Sequence, residues 1–314
     1  MHEEISSGVF LIDTLAVRVP GMVASYLIRG EKSALVDTGY ATSADSVLSE
    51  LKTINPRSWQ VDYLIATHVH PDHAGGLGHL AKAMPGARVL VSKHGARHLV
   101  DPTRLTQSAT VVFGDESMSL FGSPVPVSAD RIERVDDSCS LDLGGGKRLR
   151  IFWTPGHAWH HISIFLDSER LLFTGDAVGL RYTGYDTPIP STPPPAFDPD
   201  QYMKTIAGFI EMNPSALLLP HYGLVRDNIR EFLESNREIV EDWKSQALET
   251  VRVGGSSDRL FDMFMTDIAT RTGKSRDMIA EHVARSIMIS AKGLHKYAVH
   301  SLQMTGSREM RPSA

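Results

Sequence analysis

Through the first half of the chain, apolar residues alternate with polar ones or gather in short blocks, and turn-forming residues separate the blocks. "VFLID" (9–13), "ASYLIRG" (24–30) and "SALVDTG" (33–39) read as strands, followed by helical spacing over about 42–53. "VDYLIATH" (61–68) is a further strand. A helix over about 74–83, the strand "ARVLVS" (87–92) and a helical stretch near 93–100 come next. Strands return in "KRLRIFWT", "HISIFL" and "RLLFTGD", spanning 147–176. This alternation predicts an α/β domain.

"TPIPSTPPPAFD" (187–198) cannot enter a sheet interior, because proline has no amide to donate, so it reads as a stiff extended loop. A helix over about 199–212 and the apolar strand "SALLLP" (215–220) follow. After Gly223 the pattern turns helical. Ile229, Phe232, Leu233, Ile239, Val240 and Trp243 lie at helical spacing with charges between them, "GGSS" (254–257) breaks that helix, and two more follow, the second with Ser275 as its N-cap. The pattern therefore divides the chain into an α/β part (1–223), a helical region (224–306) and a frayed tail (307–314).

The 314 residues are 42% hydrophobic and 22% charged, a globular composition. No run approaches the roughly 20 apolar residues of a membrane helix. The opening "MHEEISSGVF" has neither the basic nor the apolar part of a secretion signal, which points to the cytoplasm. A net charge of -5 without long basic runs speaks against nucleic acid as a partner. The single Cys139 excludes an internal disulfide framework and a cysteine-rich zinc site, so any metal must be held by imidazole and carboxylate.

"THVHPDHAGG" (67–76) supplies such ligands. His68 and His70, two apart on an extended segment, point the same way. Pro71 then bends the chain, and Asp72 and His73 sit at the turn into the next helix. A polar surface loop with solvated histidines is the other reading of any one of these residues. Their crowding onto one turn favours a metal.

The segment resembles the signature of the metallo-β-lactamase superfamily. "TPGHA" (154–158), "FTGDAV" (173–178) and "LPHYG" (219–223) match that family's later motifs, in order and each where a predicted strand ends. Taken alone, such pairs are ordinary turns. The resemblance covers about residues 8–223 and implies an αββα sandwich with an appended helical region. It implies two divalent ions, with zinc foremost and iron or manganese as alternatives: one on His68, His70 and His157, the other on Asp72, His73 and His221, with Asp176 bridging. "LVDTG" (35–39) also matches, and Asp37 would then orient ligands from behind, its other reading being a strand-ending turn. Five imidazoles and two carboxylates offset half the charge of the two ions, which favours a bridging hydroxide over water.

The implied activity is hydrolysis of a small ester, thioester or lactone, with Asp72 as proton shuttle. Flavodiiron members of the family replace the second histidine with glutamate and add a flavodoxin domain, whereas this chain has His70 and no such domain. Lactonases carry a tyrosine three residues after the bridging aspartate, where this chain has Gly179. Glyoxalase II enzymes also end in helices, but their basic motif is not matched here. The overall pattern, including "GARHLVDPTRL" and the proline-rich stretch after Asp176, is similar to a group of stand-alone hydrolases with helical C-termini that resembles thioesterases more than lactamases. A di-iron protein that binds oxygen or senses redox state is the alternative function. Trp159, His160, His161, Tyr182, Tyr185 and Tyr222 flank the motifs and are expected to line a small-molecule pocket; simple packing is the other reading of each. The helices after 223 are expected to cover the cleft, to pair with a second copy, or both.

Overall fold

The computed structural model describes residues 1–309, which fold as two compact units. The first comprises 1–154, 160–176 and 213–229; the second comprises 155–159, 177–212 and the chain from 230 on.

In the first unit, strands β1 (His2–Ser6), β2 (Val9–Asp13), β3 (Ala24–Arg29) and β4 (Ser33–Val36) form an antiparallel meander. Helix α1 (Ala44–Ile54) then leads to β5 (Tyr63–Ile65). Helices α2 (Pro71–Ala74) and α3 (Leu77–Ala83) lead to β6 (Arg88–Ser92), and α4 (Ala96–Val100) and α5 (Thr103–Phe121) to β7 (Ile132–Val135). The pairs β4–β5, β5–β6 and β6–β7 are parallel, as helical crossovers require. The seven strands lie side by side in chain order. The second sheet contains β8 (Ser138–Asp142), β9 (Arg148–Trp153), β10 (Ile162–Leu166), β11 (Leu171–Phe173), β12 (Ala216–Leu219) and β13 (Gly223–Val225), in the order β13-β12-β11-β10-β9-β8. Within it only β11 and β12 are parallel.

Strand alternation separates two cores. Val9, Leu11, Tyr26, Ile28, Val36, Ile65 and Leu90 face Leu149, Ile151, Ile164, Phe173 and Leu218 between the sheets. Their neighbours Leu27, Leu35, Leu64, Val89 and Val91 point the other way, against Val47 and Leu51 of α1 and Leu77 and Leu80 of α3. The chain is thus mixed α/β, with two sheets and a helical C-terminal region.

The second unit holds α6 (Pro199–Met212), α7 (Ile229–Arg252), α8 (Ser257–Thr272) and α9 (Glu281–Glu309). Trp243 stacks on Phe264 at 4.0 Å and donates its indole N–H to Asp267 at 2.8 Å. The proline-rich loop belongs to this unit rather than to the α/β part. Thr192 Oγ1 donates to Ser290 O at 3.0 Å, Ser290 Oγ donates to Pro190 O at 2.7 Å, and Gly293 lets the loop lie directly against α9.

Several elements depart from the sequence expectation. The edge strands β1 and β13 and the helix α5, broken at Gly114 (φ +81°), carry no sustained apolar period. Ser275 precedes a single 3-10 turn at Arg276–Met278 without a side-chain cap, and α9 begins only at Glu281. In the tail, 307–309 continue α9, and 310–314 lie outside the described residues.

Candidate metal centre

The site of the first unit lies where strands end. Val36 pairs with Ile65 across parallel β4 and β5, so Asp37 leaves its strand beside the segment that carries Thr67 and His68. In the other sheet Phe173 pairs with Leu218 across parallel β11 and β12, and the chain continues to Asp176 and His221. The carboxyl ends of parallel strands commonly carry ligand sites in open α/β sheets. Bonds that tie the sheets together at this edge include Ala24 N–H to Pro220 O at 2.8 Å, Ile162 N–H to Thr67 O at 2.7 Å and the Tyr26 hydroxyl to Leu219 O at 2.7 Å.

Asp37 lies in the left-handed region at φ +58°, which aspartate tolerates better than most residues. Buried there, its carboxylate accepts from Thr67 N–H at 2.8 Å, from the Thr67 hydroxyl at 2.8 Å and from His73 Nδ1 at 2.9 Å. A carboxylate only accepts, so His73 carries a proton on Nδ1, and in the neutral ring Nε2 is the acceptor. The Thr67 hydroxyl, donating to Asp37, accepts from His68 Nδ1 at 3.1 Å, so His68 takes the same tautomer. His221 Nδ1 faces Met22 O at 3.2 Å, with the same consequence.

Nε2 of His73 and Nε2 of His221 approach to 3.3 Å. Asp72 Oδ2 lies 3.7 Å from the first and 3.2 Å from the second; Asp176 Oδ1 lies 3.5 Å and 3.8 Å from them. Four acceptors converging in a buried place need positive charge between them. The pKa shifts express this demand. Burial disfavours a charged His73, yet Asp176, Asp72 and Asp37 outweigh it and push the ring up to about 10. Burial lowers His221, and Asp176 and Asp72 raise it by more. Burial raises Asp72, but His73, His221 and His70 hold it well below the usual carboxylate range, whereas at Asp176 burial prevails and the pKa rises.

The donor chemistry fits divalent cations. His68, His73 and Asp176 have donor atoms within 4.8 Å of one another, as do Asp72, His73 and His221. Imidazole and carboxylate suit zinc, iron and manganese alike. The half-buried His70 stands beside His68, with ring centroids 4.5 Å apart. His157 lies in the second unit, buried, with Nδ1 directed at Ser191 O, 3.0 Å away, so its Nε2 is likewise the acceptor nitrogen.

The expected pocket residues fare differently. His161 is fully buried; Nδ1 engages Thr154 Oγ1 at 2.8 Å and Nε2 accepts from Asp176 N–H at 3.1 Å. The Tyr182 and Tyr185 side chains are buried, and their hydroxyls are bonded within the second unit, to Ser286 Oγ at 2.9 Å and Ala280 N–H at 2.9 Å. Tyr222 is half-buried against the inter-sheet core, and burial raises its hydroxyl pKa. Trp159 is 47% exposed. His160 Nδ1 accepts from Val69 N–H at 3.4 Å, and its ring stands 5.5 Å from that of His70. Cys139 is half-buried beside the inter-sheet core, and burial raises its thiol pKa. Sequence reasoning missed Thr67 and Thr154, which orient His68 and His161; position 67 is the first letter of the quoted motif, and position 154 opens "TPGHA".

The sequence profile of the metallo-beta-lactamase superfamily matches residues 18–221, so the chain belongs to that superfamily. The metallo-beta-lactamase fold-containing protein ST1585 of Sulfurisphaera tokodaii is 32% identical over 228 residues, covering 71% of this chain and 82% of the relative. The crystal structure of ST1585 superposes with a TM-score of 0.63 over 74% of this chain and 86% of its own. The metallo-beta-lactamase family protein TTHA1429 of Thermus thermophilus, 20% identical, shares the fold over 95% of both chains with a TM-score of 0.69. The flavo-diiron protein FprA2 of Clostridium acetobutylicum is 28% identical over 160 residues, 50% of this chain and 34% of its own length.

Proposed function

We propose that the protein is a binuclear metal-dependent hydrolase of a small ester, thioester or lactone. The observation that carries this reading is the convergence of His73, His221, Asp72 and Asp176, with the Nδ1 protons of both histidines already engaged. Members of this superfamily are generally hydrolytic. Asp72, His73 and His221 would hold one divalent cation, His68 and His70 would contribute to the other, and Asp176 would serve both. Bound there, the ions would supply Lewis acidity toward an acyl carbonyl and a water acidified toward neutral pH.

The protein's own groups do the rest. Asp37 and Thr67 hold the tautomers of His73 and His68. The Asp72 side chain is 21% exposed against 6% for Asp176, so Asp72 reaches the open side, where its carboxylate can take a proton and pass it to a departing oxygen or sulfur. No serine or cysteine nucleophile is required. The partner is a small molecule rather than nucleic acid or membrane, and among the described residues no helix is long and apolar enough to cross a membrane.

A second reading, a di-iron protein that binds oxygen or senses redox state, is favoured by the match to a flavo-diiron protein. One experiment separates them: elemental analysis and a visible spectrum of protein purified without added metal, followed by a screen of thioesters, esters, lactones and phosphodiesters. A colourless zinc protein that cleaves acyl substrates supports the hydrolase; a coloured, oxygen-responsive protein without turnover replaces it with the second reading.

A further inference from the structure

Both nitrogens of the buried His161 face the protein's own framework. Its ring contacts Asp176 through the backbone: the Asp176 N–H donates to Nε2 at 3.1 Å. On its other side runs a chain of hydroxyls, with Thr154 Oγ1 at 2.8 Å from Nδ1, Ser163 Oγ at 2.9 Å from Thr154 Oγ1, and Thr174 O at 3.1 Å from Ser163 Oγ.

The polarity of this chain can be worked out from either end. Thr174 O only accepts, so Ser163 spends its proton there and accepts from Thr154; Thr154 then accepts from His161 Nδ1–H. From the opposite end, an amide N–H only donates, so Nε2 carries no proton and Nδ1 must. Both ends require one neutral tautomer. The segment being held also leaves little latitude: Gly175 sits at φ +51°, and a Cβ there would fall 2.3 Å from His161 Nε2 and 3.0 Å from Thr67 Cβ. The turn that delivers the carboxylate is therefore pressed against the ring.

We infer that His161 is a positioning residue for the shared carboxylate. Through its Nε2 it fixes the Asp176 backbone, and through the Thr154–Ser163 chain it locks its own tautomer, so that the carboxylate is set between the two groups of donors before any ion arrives. The inference rests on the binuclear reading above, and it concerns this chain's residues rather than the reaction. Loss of the acceptor at position 161 would let the turn relax and would weaken whichever ion depends most on Asp176.

The test compares wild type with His161→Leu, His161→Gln and Thr154→Val. Readouts are zinc content after dialysis, zinc affinity by competition with a chromophoric chelator, and the visible spectrum of the cobalt-substituted protein. Wild type holding two ions tests the binuclear reading by itself. For the inference, His161→Leu is expected to lose about 10- to 100-fold in affinity for one ion, the range found when a group supporting a metal ligand is removed, with a changed cobalt spectrum. His161→Gln, whose side-chain oxygen can still accept from Asp176 N–H, is expected to recover most of that affinity. Thr154→Val leaves the ring in place and should shift the same ion by a smaller factor, which keeps the test open should His161→Leu fail to fold. A leucine variant that binds two ions with wild-type affinity and spectrum overturns the inference. So does a glutamine variant as impaired as leucine, or, where leucine does not fold, a Thr154→Val protein that matches wild type.

Discussion

At the scale of single residues, the site is organised by protons already committed elsewhere. Asp37 takes bonds from Thr67 and His73 and thereby decides which nitrogens of His68 and His73 face the centre. Asn tolerates the same left-handed backbone, so Asp37→Asn isolates the charge and the acceptor pattern from the fold. Its expected effect is about 10- to 100-fold weaker metal binding with little change in the melting temperature of the metal-free protein, measured by chelator competition and calorimetry. His70→Ala and Asp176→Ala each remove a donor and are expected to lose one or both ions together with activity; a fully active Asp176→Ala protein refutes the mechanism. Cys139, its thiol pKa raised by burial, lies on β8, at the other end of its sheet from the strands that lead to Asp176 and His221. Cys139→Ser should retain metal content and turnover and alter stability by less than about 1 kcal/mol. Residue types and spacing made the donors legible in the sequence. They could not show the burial of His161 or its bond to the Asp176 N–H, because burial and the identity of a hydrogen-bond partner depend on strands that lie apart in the chain.

At the scale of elements, strand alternation and helix spacing carried most of the first unit. Strands β2, β3, β4, β5, β6, β9, β10, β11 and β12 fall within the predicted segments, since each buries one or both faces and its apolar period survives. Exposed edge elements escaped for the opposite reason. Strand β1 keeps only intermediate or exposed residues, and α5 is mostly exposed around its Gly114 break. The proline-rich segment was legible as irregular backbone, while its attachment to α9 was not. That attachment depends on Gly293, where a Cβ would come 1.8 Å from Thr192 O. Gly293→Ala is expected to force the loop away and to destabilise the protein by about 1–3 kcal/mol despite alanine's better helix propensity, seen as a lower denaturant midpoint. An unchanged midpoint would show that the loop and helix separate without cost.

At the scale of the whole molecule, the site draws donors from both sheets, so metal binding and folding of the first unit are linked. Asp72 and His73 follow a strand of the first sheet, and Asp176 and His221 follow strands of the second. A ligand that binds only where these segments meet stabilises the folded state by RT ln(1 + [L]/Kd), about 4 kcal/mol at a thousandfold excess over Kd. Stripping metal with a chelator should therefore lower the melting temperature by several degrees, and adding zinc back should restore it; identical melting curves with and without metal would contradict the assignment.

By itself the sequence determined the α/β class and the helical C-terminal region and supplied the candidate donors, because these depend on local period and on the chemistry of each side chain. Only the tertiary structure decided which imidazole nitrogens face the centre, that His161 Nε2 accepts from the Asp176 N–H, and that segment 177–212 groups with the C-terminal helices. Those outcomes are hydrogen bonds and packing between residues far apart in the chain, and spacing along a sequence holds no record of them until the strands have paired.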